Sequence, residues 1–195
     1  MVKKMGKNLV QNPSFENVNS IPHDWWNYES IGFSGALEIV DDALTGTKAV
    51  KVINDSPEAV GAWAQTIILP KGTKKISFGG YTKQTVQSNS GIGYVAIIVD
   101  CFSSPETGFT WLGTVETIHE YDTNDIYHKI EAVSVLPTGT YQVNVACAVA
   151  LIAGEATFDD IYLEVYEEPI PYPIVIALLV VSIGGLGIYY ITKKK

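Results

Sequence analysis

The sequence predicts an all-β, two-sheet sandwich followed by one C-terminal transmembrane helix. Three observations predict it. Short apolar runs, rich in β-branched and aromatic residues, recur between Gly, Pro, Asn and Asp up to about residue 166. No amphipathic helical period interrupts them. Residues 169–192 then form 24 positions without a charge.

The chain opens with a basic tail, residues 1–7, Met-Val-Lys-Lys-Met-Gly-Lys. No apolar stretch of the length a secretory leader needs follows it, so no signal peptide is predicted. Residues 8–166 form the β domain. Its predicted strands are Leu37–Val40, Ala49–Ile53, Val60–Leu69, Lys75–Lys83, Gly93–Phe102, Thr110–Thr117, His128–Val135, Thr140–Leu151 and Thr157–Tyr166. Turn signals separate them, among them Pro70-Lys-Gly-Thr73, Ser103-Ser-Pro105 and Pro137-Thr-Gly139. In residues 158–165, Ile161, Leu163 and Val165 alternate with polar neighbours, as on a strand with one buried face. Val95–Val99 and Val145–Ile152 are apolar on both faces and belong in mid-sheet. Trp25 and Trp26 are adjacent, so on a strand they face opposite ways and one enters the core.

Residues 167–173 are a Pro-rich linker, with Pro169, Pro171 and Pro173. Residues 174–192 are long and apolar enough to cross a bilayer as a helix. Tyr172 at one end and Tyr189 and Tyr190 at the other fit the two interfacial belts. Residues 193–195 are three lysines, which place the C-terminus in the cytoplasm and the β domain outside.

All 21 acidic residues precede the apolar run. Against them stand ten lysines, so the chain before the three terminal lysines carries −11, and it contains no arginine. Nucleic-acid binding, which needs clustered cations against phosphate, is excluded as a function class. The cysteines, Cys101 and Cys147, read either as two buried thiols or as one cross-strand disulfide. Asn54-Asp-Ser56 is an N-glycosylation sequon, usable only if the domain is exported and the asparagine accessible.

Two segments carry a resemblance. Residues 8–16, Asn-Leu-Val-Gln-Asn-Pro-Ser-Phe-Glu, and residues 156–164, Ala-Thr-Phe-Asp-Asp-Ile-Tyr-Leu-Glu, resemble the two ends of one β-sandwich. It is the galactose-binding-like jelly roll of carbohydrate-binding modules of the family 4 and family 9 type. Residues 22–26, 45–52 and 63–69 resemble intervening stretches, so the likeness covers residues 8–166. Tyr127 departs from the family by standing where such modules often have tryptophan.

The resemblance implies that the two end motifs meet in space and hold a structural calcium. Glu16 would be one carboxylate ligand and Asp159 another, with Asp160 as its alternative. Asp42 and carbonyls of residues 45–48 would complete the oxygen shell that calcium requires. The resemblance also implies glycan binding, by stacking of an aromatic face on a pyranose with amides holding hydroxyls. The candidate platforms are Trp63, Trp111, Tyr81 and Tyr94; the candidate hydrogen-bonding groups are Gln65, Gln84 and Asn89.

No nucleophile elbow, phosphate-binding loop or metal-hydrolase motif occurs, and the sequence reads as a non-enzyme. The acidic pairs Asp41-Asp42 and Asp159-Asp160 would project to opposite faces if they lay on regular strands. The function expected is thus a single-pass, membrane-anchored surface protein with a glycan-binding ectodomain. The rival reading is a coat or adhesion protein of a cell envelope or enveloped virion, without sugar binding.

Overall fold

Alternation of side chains builds the core in the computed structural model, which describes residues 6–86, 93–117, 119 and 125–166. The strands are β1 (Trp26–Glu29), β2 (Gly35–Val40), β3 (Ala49–Asn54), β4 (Val60–Ile68) and β5 (Lys75–Val86). They continue with β6 (Tyr94–Phe102), β7 (Trp111–Glu116), β8 (His128–Val135), β9 (Gln142–Ala150) and β10 (Gly154–Val165). One sheet has the order β1-β4-β9-β6-β7 and the other β2-β3-β10-β5-β8, with every pairing antiparallel.

Between the sheets lies a single hydrophobic cluster. The first sheet sends in Trp63, Ile67, Val95, Ile97, Val99, Val143, Val145 and Val149; the second sends in Val50, Val52, Ile76, Phe78, Phe158, Ile161 and Leu163. The Trp63 ring crosses the interior, its Nε1–H donating to the Lys51 carbonyl at 3.3 Å. The two sheets are thus joined by a hydrogen bond as well as by packing.

All nine predicted strands are present, with ends shifted by a few residues. β5 and β10 each extend three residues beyond expectation because they pair with each other there, Gly154 opposite Val86. β1 was not predicted. Its four residues are all exposed and none is β-branched, so nothing in their pattern marks a strand; pairing with β4 makes them one. Trp25 and Trp26 divide as expected: Trp25 is 2 % exposed and Trp26 37 %.

The opening segment takes over where β3 stops. β3 pairs with β10 only as far as Phe158, opposite Val50. Beyond that point the Leu9 N–H donates to the Leu163 carbonyl at 2.8 Å, and the Asn8 side chain bonds the Ile161 carbonyl and the Leu163 N–H, each at 3.0 Å. The Ile161 N–H donates to the Pro13 carbonyl at 2.9 Å. The two end motifs do meet. Phe15, fully buried, packs on Trp25 with ring centroids 4.8 Å apart.

Cys101 and Cys147 are free buried thiols. They lie on the neighbouring strands β6 and β9, but Cys101 is opposite Val143 and Cys147 opposite Ile97. An offset of four residues is about 13 Å at the rise of a strand, beyond the reach of a disulfide. Asn54 ends β3 instead of sitting in a loop. It is fully buried, and its Nδ2 donates to the carbonyls of Ala59 at 3.0 Å and Ile152 at 3.1 Å, which removes it as a glycan acceptor in the folded chain.

Among the described residues no helix is long and apolar enough to cross a membrane. The predicted span 174–192 lies outside them, as do the linker 167–173, the tail 193–195 and residues 1–5 of the basic start.

Two outcomes follow from this packing. Truncating Trp63 to alanine removes the ring that fills the centre and should cost about 3–5 kcal/mol in denaturant unfolding. Burial pushes the Cys101 thiol up to about 11 and holds Cys147 well above its ordinary value. Iodoacetamide at mild pH should therefore leave both thiols of the native chain unmodified and alkylate both once guanidinium unfolds it.

Candidate functional site

The outward positions of the β1-β4-β9-β6-β7 sheet form the candidate site. Register brings them into rows across the strands. One row is Thr66 on β4, Asn144 on β9, Asp100 on β6 and Thr114 on β7, each directly opposite the next. Thr66 donates to Asn144 Oδ1 at 2.9 Å, and the Thr114 hydroxyl donates to Asp100 Oδ1. Trp111, 59 % exposed, lies beside this row with its Nε1 3.4 Å from the same Asp100 oxygen. Tethered by its edge, the indole keeps a face toward solvent. Phe109 stacks on Phe102 next to it, centroids 5.2 Å apart and planes at 2°.

Part of that sheet face is closed, while Ile68 on β4 remains 61 % exposed. Ala62 and Ala64 on β4, Ala148 and Ala150 on β9 and Ala96 on β6 point away from the core cluster, yet none is more than 1 % exposed. Trp26 and Tyr28 stand along the β1 edge. At the other side Tyr94 stacks on His119, centroids 4.0 Å apart. Glu116 accepts from the Tyr94 hydroxyl at 3.1 Å and meets His119 Nε2 at 2.7 Å. Burial, with Glu116 beside it, pushes the Tyr94 hydroxyl up to about 12.

The predicted platforms therefore separate. Trp111 is exposed. Trp63 is 1 % exposed and offers no ring face to a sugar, because its strand position points into the sandwich. Tyr94 spends its ring on His119. Tyr81, opposite Lys129 and Asp159, belongs to the other sheet. Gln65 is buried at 2 % and is spent on the opening segment, accepting from the Gln11 N–H at 2.7 Å and donating to the Gln11 carbonyl at 2.9 Å. Gln84 is buried at 2 %. Neither amide reaches a surface ligand. Asn89 lies outside the described residues. Sequence reasoning missed Thr66, Asn144, Asp100 and Thr114. The available signal was a polar residue punctuating an otherwise apolar run, as in Val-Asp100-Cys and Val-Asn144-Val.

The predicted metal ligands gather at the loop of residues 41–48. Glu16 Oε1 accepts from the N–H groups of Thr47 and Lys48, both at 2.7 Å, and its Oε2 accepts from the Thr47 hydroxyl at 2.9 Å. Asp159 Oδ2 accepts from the N–H groups of Leu44 and Thr45 at 2.8 and 2.9 Å, and its Oδ1 from the Asp160 N–H at 2.7 Å. The Thr45 hydroxyl donates to Asp160 Oδ1 at 2.8 Å. Asp159 and Asp160 thus serve one loop instead of opposite faces. The reason is a bulge: pairing with β5 slips between Asp159 and Tyr162, and Asp160 takes φ 50°. Gly46 has φ 70°, and a Cβ there would come within 2.3 Å of Glu16 Oε1, so glycine is required for the loop to close on the carboxylate. Asp42 pairs with Lys83, which also meets Asp125 at 3.5 Å. Burial works to lower the Lys83 amine, but these two carboxylates prevail and raise it.

Calcium needs six to eight oxygen acceptors. Here the loop turns N–H donors toward Glu16 and Asp159, and Asp42 is occupied by an ammonium. Among the described residues no three Asp, Glu, His or Cys side chains converge to hold a metal. Peptide dipoles of the loop thus supply positive ends toward Glu16 and Asp159.

No protein-family model and no curated protein matches the chain. Solved structures do. The family 61 module TmCBM61 in complex with β-1,4-galactotriose matches with TM-score 0.52 at 22 % identity, over 83 % of this chain and 99 % of that one. The CBM22-1 xylan-binding domain of Paenibacillus barcinonensis Xyn10C matches with TM-score 0.55 at 11 % identity, over 86 % and 100 %. The chain is therefore similar in fold, a two-sheet jelly-roll sandwich, to these carbohydrate-binding modules. The enzymatically active domain of bacteriophage CBA120 tailspike protein 4 also matches, with TM-score 0.58 and 15 % identity. There the match covers 80 % of this chain and spans about a fifth, 21 %, of the tailspike chain. At these identities the likeness concerns the fold.

The hydrogen bonds of Lys48 and Thr47 hold the Glu16 carboxyl below its ordinary value of 4.5. Its contribution to stability is then full above that value and lost as pH falls through the lowered one. Glu16→Gln should lower the melting temperature at neutral pH and flatten the acid limb of its pH profile. Chelator should leave the wild-type melting temperature unchanged; a fall on chelation would show the loop reorganised around a cation.

Proposed function

We propose that the domain is a non-catalytic module that binds a neutral glycan, held at a membrane surface by the apolar segment 174–192. The observation that carries the reading is Trp111 standing beside the Thr66–Asn144–Asp100–Thr114 row. Successive strands are about 4.8 Å apart, close to the length of one pyranose. A glycan lying across the strands meets one polar side chain per ring, and the indole face stacks on a sugar at the end of the row.

Charge selects the class of glycan. None of the five strands of this sheet contains a lysine, whereas Glu29, Asp100 and Glu116 are all on it. A sulfated or carboxylated chain would meet only like charge there. The galactotriose and xylan named for the structural neighbours are neutral glycans, in keeping with this reading. A non-catalytic role is supported by the state of the acidic pair Asp41-Asp42, in which each carboxylate is held by a lysine, Lys48 and Lys83 respectively.

Calorimetric titration of the detergent-solubilised full chain with xylo- and galacto-oligosaccharides tests the proposal. Binding of at least one neutral series is expected. Trp111→Ala should weaken it at least about tenfold, the scale of losing an aromatic anchor. Tyr81→Ala, on the opposite sheet, should leave it unchanged. Failure to bind any glycan on an array, or binding indifferent to Trp111, would leave the coat or adhesion reading in its place.

A further inference from the structure

A second recess lies at one end of the sandwich, where three turns converge. They join β4 to β5, β6 to β7 and β8 to β9, and they line a cleft of about 1020 Å³. All three are built alike. Thr73 bonds the Pro70 carbonyl through its hydroxyl at 2.7 Å and its N–H at 3.1 Å. Thr107 bonds the Ser104 carbonyl at 2.9 and 3.0 Å, and Thr140 the Pro137 carbonyl at 2.7 and 3.2 Å. Each turn is closed twice by one residue, so the cleft walls are set before any ligand arrives. Pre-set loops on a β-sandwich give up little entropy on binding.

The lining has a specific chemistry. Val135 is 71 % exposed and Tyr141 38 %, giving apolar surface beside Pro70 and Pro137. Lys71 and Lys74 line the same cleft. Elsewhere among the described residues Lys48, Lys51, Lys83 and Lys129 are each paired with a carboxylate, Lys75 lies over the Tyr166 ring, and only the exposed Lys7 before the domain lacks such a partner. Lys71 and Lys74 have neither kind of partner, in a domain whose residues 8–166 hold 19 acids and 7 lysines. Glu106 faces the cleft as well, an acceptor for hydroxyl groups.

We infer that this cleft is a second ligand site, for the carboxylate-bearing sugars of an acidic glycan. The uronate carboxylate meets Lys71 and Lys74, ring hydroxyls donate to Glu106, and the apolar faces lie on Tyr141 and the prolines. The site complements the cation-free sheet face and does not depend on it.

The test is titration of the detergent-solubilised full chain with an α-1,4-linked galacturonate hexamer. Binding should appear, should weaken as salt is raised, and should fall at least about tenfold in the Lys71→Gln/Lys74→Gln double variant. Trp111→Ala should leave it unchanged, while the double variant should leave neutral-glycan binding unchanged, so the two sites fail or succeed separately. An unaltered melting temperature shows that the double variant is folded. Absence of hexamer binding by the wild type, indifference to the two lysines, loss in Trp111→Ala, or equal binding of dextran sulfate would each overturn the inference.

Discussion

The bulge in β10 is the constraint on which the rest of the molecule depends. A regular strand at this point would give its N–H and C=O groups alternately to β3 and β5. Instead, the residue of left-handed φ, Asp160, breaks the register after Asp159. The Ile161 N–H is freed to meet Pro13, which seats the opening segment where β3 has ended. The same break buries Asp159 against the 41–48 loop, where it takes two N–H groups from that loop. Burial raises the Asp159 carboxyl while the Thr45 and Asp160 N–H groups pull it down, so the hydrogen bonds are what keep a buried acid tolerable there. One irregular residue thus sets the N-terminal edge, the loop and the end of a strand pairing together.

The two sheets share a core but divide the charge. Lysines stand on β3, β5 and β8, all in the sheet that carries the 41–48 loop. There they meet carboxylates: Lys51 with Glu155 at 2.7 Å, Lys129 with Glu131 at 2.6 Å, and Lys83 with Asp42. Exposed pairs of this kind add little stability singly. Their effect is on potential: they offset part of the acidity of one sheet, while the strands of the other carry acids and no lysine. A ligand is sorted by the side from which it approaches before any close contact forms.

Much of the fold was legible in the sequence, because apolar alternation is a direct imprint of a two-layer core. The divided pair Trp25 and Trp26 was legible from strand alternation, whereas the meeting of the two end motifs was legible only through the resemblance those motifs carry. The site was less so. Trp63 and Trp111 look alike as residues, and only the parity of their strands separates a core ring from a surface one. Gln65 and Gln84 look like ligand groups, but a sandwich interior also accommodates an amide when, as at Gln65, backbone partners wait for it. Asp159 and Asp160 defied the rule for adjacent residues because a bulge suspends that rule. The polar row exists only through register across four strands, and register across distant strands is not written in any one segment.

The alanines on the outer side of the β1-β4-β9-β6-β7 sheet have a consequence for how such a chain can change. Ala62, Ala64, Ala96, Ala148 and Ala150 are buried although they point away from the core. A larger side chain there must displace whatever covers them, and only glycine is smaller. That half of the wall admits almost no variation in either direction. Diversity in what the molecule recognises must then arise at Thr66, Trp111 and Thr114, whose side chains are open to water, with the wall behind them held constant.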